Sequence, residues 1–85
     1  MKVLGQEVPA HVVESAEQWM RAGRITFRAT WLQTHLMDVW SELEGVRFCR
    51  RQALTATLAS RLTQKHRKLG NLKCEGRVWT WVGAS

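Results

Sequence analysis

The apolar residues of this chain change their spacing at Gly70. Before that glycine, apart from a short alternating segment at 24–28, they recur at intervals of three and four, which is the period of an α-helix that buries one side. After it they alternate, which is the period of a β-strand. With 85 residues to fill one hydrophobic core, the chain is predicted to form a single small α+β domain over 1–85, with its ordered core over about 8–83.

Helix and strand signals divide the chain into five elements. In chain order, the predicted elements are helix 9–22, strand 24–28, helix 30–44, helix 50–69 and a two-stranded β-hairpin over 71–82. Pro9 suits the first helical position, where its missing N–H costs nothing. Thr30 begins a Thr-x-x-Gln sequence typical of a capping box, whereas Cys49 stands where a capping side chain is expected for the third helix. Glu75-Gly76 is the predicted hairpin turn.

The tryptophans raise the question of what covers them. Trp31 lies off the apolar stripe of its helix and is expected to fold under the neighbouring strand. Trp79 and Trp81 share one face of the last strand, and Val78 and Val82 share the other. If no part of the chain covers one of these two faces, that face becomes a surface for a second copy or for another protein.

Charge is distributed unevenly along the chain. Residues 1–44 carry a net charge of −2, whereas residues 45–85 carry nine basic side chains against Glu75 alone, a net charge of +8. Such asymmetry is typical of a surface that binds a polyanion and rests on a more acidic support. A solvated basic face that only keeps the protein soluble is the other interpretation.

Several classes of protein are not supported by the sequence. It contains no Gly-rich phosphate loop, Gly-x-Ser-x-Gly or His-Glu-x-x-His sequence, so we expect neither an enzyme nor a small-molecule substrate. Cys49, His66 and Cys74 have irregular spacing that fits zinc sites poorly, so no metal or cofactor is expected. No apolar run is long enough for a membrane span or a signal peptide. We therefore expect a cytoplasmic protein without membrane contact, associated with the nucleoid if it binds DNA.

The order helix, short strand, helix, turn, helix, hairpin resembles that of the winged helix-turn-helix domain. The short strand Ile25-Thr26-Phe27 and the passage from Leu58 and Leu62 through Leu69-Gly70-Asn71-Leu72 contribute to this resemblance. The resemblance implies that the third helix reads DNA and that the hairpin is the wing. The loop from Ser41 to Cys49 and a third helix of about 20 residues are longer than is common in this fold.

On a helical wheel, Leu54, Leu58 and Leu62 point inward, Thr63 points outward, and Thr55 lies at the edge of the outward side. The side chains expected to read bases are Arg50, Gln52, Ala53, Ala56 and Thr57. Those expected to contact the DNA backbone are Arg47, Arg51, Thr55, Ser60, Arg61, Lys65, Arg67, Lys73 and Arg77.

These features predict a sequence-specific protein that binds double-stranded DNA, in the manner of a small bacterial or phage transcriptional regulator. A homodimer, or a protein partner bound through Trp79 and Trp81, is compatible with this prediction. Two alternatives stay open: a protein-interaction module on the same scaffold that uses Trp79 and Trp81, and an RNA-binding or ribosome-associated protein.

Overall fold

The computed structural model describes residues 1–22 and 26–83, and within them the chain forms three α-helices and two β-hairpins. The elements are β1 (Lys2–Val3), β2 (Gln6–Glu7), α1 (Ala10–Ala22), α2 (Ala29–Val39), a 3₁₀ turn (Ser41–Leu43), α3 (Phe48–Lys68), β3 (Leu72–Glu75) and β4 (Val78–Trp81). The predicted α+β class is confirmed, and the layout is consistent with a small winged-helix arrangement.

Helix α1 begins one residue later than predicted. The carbonyl oxygen of Pro9 accepts hydrogen bonds from the backbone N–H groups of Val12 and Val13, at 3.1 and 3.4 Å, so Pro9 precedes the helix instead of opening it. The apolar stripe is buried as the spacing predicts, with Val12, Ala16 and Met20 in the core. The prediction of a helix over 9–22 is therefore confirmed to within one residue.

The second predicted helix, 30–44, is broken at Trp40. Its α-helical part ends at Val39; Trp40 then leaves the helical conformation with φ −88° and ψ 72°, and Ser41–Leu43 forms a 3₁₀ turn. Both Trp40 and Leu43 remain buried across the break, so the helical spacing of apolar residues continues although the helix does not.

The predicted capping box of α2 is wrong. The residue before the helix is Arg28, which has no side-chain cap, and Thr30 lies inside the first turn. The carbonyl oxygen of Thr30 instead accepts a hydrogen bond from the Thr34 hydroxyl at 3.0 Å.

Helix α3 spans 21 residues and starts two residues earlier than predicted, so Arg47, and not Cys49, precedes it. It ends as the sequence predicts, because Gly70 takes φ +82°. The Gly70 N–H binds the Arg67 carbonyl at 3.1 Å and the Asn71 N–H binds the His66 carbonyl at 2.8 Å. This pair of bonds is the Schellman motif, which turns the chain sharply at the end of a helix.

Strands β3 and β4 form the predicted hairpin with a shifted turn. Glu75 pairs with Val78, so the two-residue loop is Gly76-Arg77 and not Glu75-Gly76. Gly76 supplies the positive φ of +64° that a two-residue hairpin loop needs at its first position.

A third segment joins the edge of this hairpin. Phe27 forms an antiparallel bridge with Trp79, through backbone hydrogen bonds of 2.8 and 2.7 Å. Phe27 belongs to the predicted strand 24–28, of which Arg24 and Ile25 lie outside the described residues. The bridge ties the start of α2 to β4.

An N-terminal hairpin precedes α1 and was not predicted, because the ordered core of the domain was expected to begin at about residue 8. Strands β1 and β2 pair antiparallel around Leu4 and Gly5, both of which have positive φ, +49° and +81°. Val3 is fully buried and belongs to the same core cluster as Val8. The hairpin is therefore an integral part of the domain.

The tryptophans divide between the core and the surface. Trp40 and Trp79 are buried, while Trp19 and Trp81 are partly buried against the core cluster. Trp31 is 53% exposed, so the expectation that it folds under the strand is wrong. The ring of Trp31 projects from the first turn of α2 because Leu32 and Leu36 form that helix's buried side.

A polar cluster connects the end of α3 with α1 and β3. His66 is nearly buried; its Nε2 lies 2.7 Å from Oε2 of Glu17, and its Nδ1 lies 3.1 Å from Nδ2 of Asn71. The imidazole also packs 5.1 Å from the Trp81 ring, measured between centroids. Both ring nitrogens therefore have partners, as a buried histidine requires.

Replacing Glu17 should destabilise the domain. In Glu17→Ala the buried Nε2 of His66 loses its acceptor, and an unsatisfied buried polar group costs about 1–3 kcal/mol. Urea unfolding followed by tryptophan fluorescence measures the change. The matched control is Glu14→Ala, an exposed position on the same helix, which should change the free energy of unfolding by less than about 0.5 kcal/mol. Equal losses in the two variants would show that the His66 cluster adds nothing.

Candidate nucleic-acid interface

Helix α3 presents one side to solvent along its whole length. The side chains at the centre of this side are exposed and mostly small, and we call them the outward face: Cys49, Ala53, Ala56, Ser60 and Arg67. Leu54, Leu58 and Leu62 lie on the opposite, buried side, as the spacing predicts. Small side chains allow the backbone of a helix to approach another surface closely, and an α-helix of ordinary diameter fits the DNA major groove.

The side chains predicted to read bases are mostly accessible. Arg50, Gln52, Ala53 and Ala56 are exposed, and Thr57 is partly exposed. Gln52 lies at the edge next to α2, where its carbonyl oxygen accepts a hydrogen bond from Nε2 of Gln33 at 3.2 Å. This bond goes to the backbone of Gln52, while its side chain is exposed near the start of the outward face.

Two threonines are placed differently from the helical-wheel prediction. Thr55 was expected at the edge and Thr63 on the outward side, but their exposed fractions are 0% and 1%. Their hydroxyls donate to the carbonyl oxygens of Arg51 and Ala59, at 2.8 and 2.9 Å. Because these bonds satisfy the hydroxyl within the helix, a threonine can be buried at low cost. Thr55 is therefore not accessible to a DNA backbone in this conformation.

The N-terminal hairpin holds two arginines of α3. Nη2 of Arg50 donates to the Leu4 carbonyl oxygen at 3.0 Å, and Nη1 of Arg61 donates to the Lys2 carbonyl oxygen at 2.8 Å. The two arginines are eleven positions apart, which is close to three helical turns, so they lie on the same side of α3. Both remain exposed.

The other cations on or beside α3 have varied surroundings. The Arg51 side chain is partly buried, and its guanidinium carbon lies 5.6 Å from the Phe48 ring centroid. Nζ of Lys65 lies 3.8 Å from Oε2 of Glu17, so part of its charge is compensated. Arg47 and Arg67, like Ser60, are exposed.

The C-terminal hairpin carries an ion pair beside its turn. Nζ of Lys73 lies 2.8 Å from Oε1 of Glu75, and Arg77 is exposed in the turn itself. The hydrogen bond from Lys73, reinforced by its charge, lowers the pKa of the Glu75 carboxyl, and the same contact raises the pKa of Lys73. At neutral pH the turn therefore presents Arg77 as its uncompensated cation beside a neutralised pair.

A groove lies on the surface where α3 meets the start of α2 and β4. It has a volume of about 280 Å³, and its walls include Thr30 of α2, Ala56, Ser60 and Gln64 of α3, and Trp79 of β4. The outward face of α3 therefore contributes Ala56 and Ser60 to this groove, and the N-terminal hairpin lies on its other flank.

Sequence reasoning missed Arg28 as a surface cation. Arg28 directly precedes α2 and lines, with Thr30, Gly76 and Arg77, a neighbouring hollow of about 380 Å³. The signal available in the sequence was a basic residue between a predicted strand and a predicted helix. In the structure, the bridge of Phe27 to Trp79 brings this residue next to the C-terminal hairpin.

His35 of α2 contacts two side chains of α1. His35 lies 3.0 Å from the Ser15 hydroxyl and stacks on Trp19.

Across the described ranges, no three ligand-type side chains come together as a metal site requires, and both cysteines are free thiols. Among residues 1–22 and 26–83, no helix combines the length and the apolar character needed to cross a bilayer.

Comparisons of the chain with protein-family models, with curated proteins and with solved structures each return no match.

The Lys73–Glu75 pair gives a prediction about pH. In Lys73→Met the titration midpoint of Glu75, followed by carboxyl NMR shifts, should move upward toward that of an isolated glutamate. A carboxyl with a lowered folded pKa stabilises the fold above its unfolded pKa and loses that contribution as pH falls through the folded pKa. Arg77→Met is the control and should leave the Glu75 midpoint in place, because the shift arises from Lys73. A midpoint unchanged in Lys73→Met would contradict the ion pair.

Proposed function

We propose that this protein binds double-stranded DNA in a sequence-specific manner, with α3 in the major groove. The observation that carries the proposal is the outward face of α3: a row of mostly small, exposed side chains with cations along it. Small side chains permit close approach to base edges, and cations beside them bind phosphates.

The N-terminal half of α3 is the part that reads bases. Gln52, Ala53, Ala56 and Thr57 lie there and are accessible. A glutamine side chain can bond an adenine through two hydrogen bonds, and alanine or threonine methyl groups can contact a thymine methyl. Arg50 lies at the edge of this half, where its bond to the Leu4 carbonyl oxygen directs it toward the flank.

Contacts to the DNA backbone come from both ends of the surface. Arg47 and Arg67 are exposed at the start and near the end of α3, and Arg77 is exposed in the turn of the C-terminal hairpin. The net charge of +8 in residues 45–85 supplies the attraction for a polyanion. In this arrangement the C-terminal hairpin acts as a wing against the phosphates.

The order of the elements and the basic charge support a proposal about the class of DNA-binding protein. The bridge of Phe27 to Trp79 and the helix–hairpin order support membership of the winged helix-turn-helix superfamily. We propose a small bacterial or phage transcriptional regulator that works in the cytoplasm at the nucleoid, as a monomer or as a homodimer.

The packing of the last strand favours DNA binding over the protein-interaction alternative. That alternative needs Trp79 and Trp81 as a free surface, but Trp79 is 7% exposed and Trp81 packs against His66 with Arg21 5.5 Å from its ring centroid. A partner would have to displace these contacts before it could bind either ring.

A salt titration with duplex DNA tests the proposal. The affinity of the wild-type protein for random duplex should fall as salt rises, with a log–log slope of about −0.9 for each phosphate neutralised. Arg67→Ala should make that slope shallower by about 0.9, because Arg67 lies on the outward face. The matched control, Arg21→Ala, removes the same charge from the end of α1 and should leave the slope unchanged. Absence of duplex binding by the wild type at low salt would show that the proposal is wrong.

Sequence preference is tested separately by selecting binding sites from a random library. Gln52→Ala should lose preference at one or two adjacent positions of the selected site, with a loss of discrimination of about 1–3 kcal/mol if the wild-type contact is a two-bond pair with adenine. Arg67→Ala should bind the same site more weakly and keep the preference. Identical selected sites for Gln52→Ala and the wild type would place the reading side chains elsewhere on α3.

A further inference from the structure

The two β-hairpins of the domain flank α3 on different sides. The C-terminal hairpin approaches the side of Ala56 and Ser60, which line the groove with Trp79. The N-terminal hairpin approaches the side of Arg50 and Arg61, through the two carbonyl contacts. Ala56 and Arg61 are five positions apart, which is about 140° around a helix. The outward face therefore borders the C-terminal hairpin through Ala56 and Ser60, and the N-terminal hairpin lies on its other flank.

The N-terminal hairpin is fixed against the domain and is not a loose arm. Val3 is fully buried, and the backbone N–H of Val8 binds the Met1 carbonyl oxygen at 2.8 Å. The Leu4-Gly5 turn has the two positive φ values of a tight hairpin loop. The side chain of Lys2 points away from the buried Val3 and is exposed.

Arg50 and Arg61 keep most of their hydrogen-bonding capacity. A guanidinium has five N–H donors in a planar fork, and each of these two arginines donates one bond to a hairpin carbonyl oxygen. Within the described residues, neither is in an ion pair with a carboxylate. Each therefore retains a full positive charge and donors suited to a phosphate.

The cations on this flank form a line. Arg50, Arg61 and Lys68 are separated by eleven and seven positions, so they lie on one side of α3 over a length of about 27 Å, and we call them the basic row. Lys2 adds an exposed cation on the hairpin strand whose carbonyl oxygen binds Arg61. The one carboxylate of the hairpin, Glu7, lies 3.7 Å from the N-terminal amine, so its charge is opposed locally.

From this arrangement we infer that the N-terminal hairpin is a second wing: Lys2, together with the basic row, binds the phosphates of one strand of duplex DNA, while the C-terminal hairpin contacts the opposite strand. The inference rests on the proposed insertion of α3 into the major groove, because that pose brings a phosphate strand alongside each flank. The carbonyl oxygens of Leu4 and Lys2 act as positioning groups, since they hold the guanidinium groups of Arg50 and Arg61 at the edge of the DNA major groove.

Lys2→Ala tests the second wing without altering the core or the arginine contacts, because only the backbone of Lys2 bonds Arg61. One phosphate contact fewer makes the log–log salt slope shallower by about 0.9. The affinity ratio of wild type to Lys2→Ala should therefore be about 3.5-fold larger at 50 mM than at 200 mM salt. Arg21→Ala is the matched control, with the same loss of charge and an affinity ratio that stays the same at both salt concentrations. Thermal unfolding of both variants checks that the fold is retained.

A second measurement locates the contact. Amide NMR shifts of residues 2–7 should change on addition of a duplex that the wild type binds, and the same residues should stay unchanged in a titration with the duplex at high salt. If the wild type binds duplex while Lys2→Ala matches Arg21→Ala and residues 2–7 do not shift, the second wing is wrong and the function of α3 stands. If the wild type does not bind duplex, both proposals fail together. Binding to an A-form RNA duplex with equal affinity would also overturn the inference, because the deep, narrow major groove of RNA does not admit α3.

Discussion

The burial of one side of α3 is the constraint on which the rest of the structure depends. Leu54, Leu58 and Leu62 are fully removed from water and belong to the same core cluster as residues of α1, α2 and both hairpins. Helix α2 and strands β1 and β3 pack directly against α3, and α1 packs against α2 as part of the same core. The same burial orients the helix, so the outward face is determined once the core has formed.

The end of α3 fixes how the chain returns to the domain. The Schellman motif at Gly70 sends the backbone directly into β3, and His66 ties the same turn to α1 through Glu17 and to Asn71. Because these contacts join three elements within one turn of the helix, the C-terminal hairpin has a defined position beside the outward face. A hairpin held in this way can contact a ligand without a further loss of conformational entropy.

Local patterns were enough to predict the three helices and the C-terminal hairpin, because each has a period or a glycine stop of its own. The N-terminal hairpin was not predictable in the same way, since strands of two residues are too short to show a period. The break at Trp40 was hidden because apolar spacing continues across it. For the N-terminal hairpin, the contacts of its carbonyl oxygens with Arg50 and Arg61 span distant parts of the chain.

The candidate site was predictable only in part, for a similar reason. Charge and small side chains identified α3 as the exposed basic helix, but the width of its buried side depends on neighbours on both flanks, which is why Thr55 and Thr63 were misplaced. The contact of Arg50 with the Leu4 carbonyl oxygen spans 46 positions. No pattern within α3 indicates it.

The use of main-chain oxygens to hold Arg50 and Arg61 has a consequence for mutational tolerance. A carbonyl oxygen is present whatever the side chain, so the exposed positions of the N-terminal hairpin are free to vary while both guanidinium groups keep their places. Variation there can tune the charge of one flank without disturbing the outward face. In the proposed DNA complex, changes in the hairpin would alter overall affinity and leave base preference to α3.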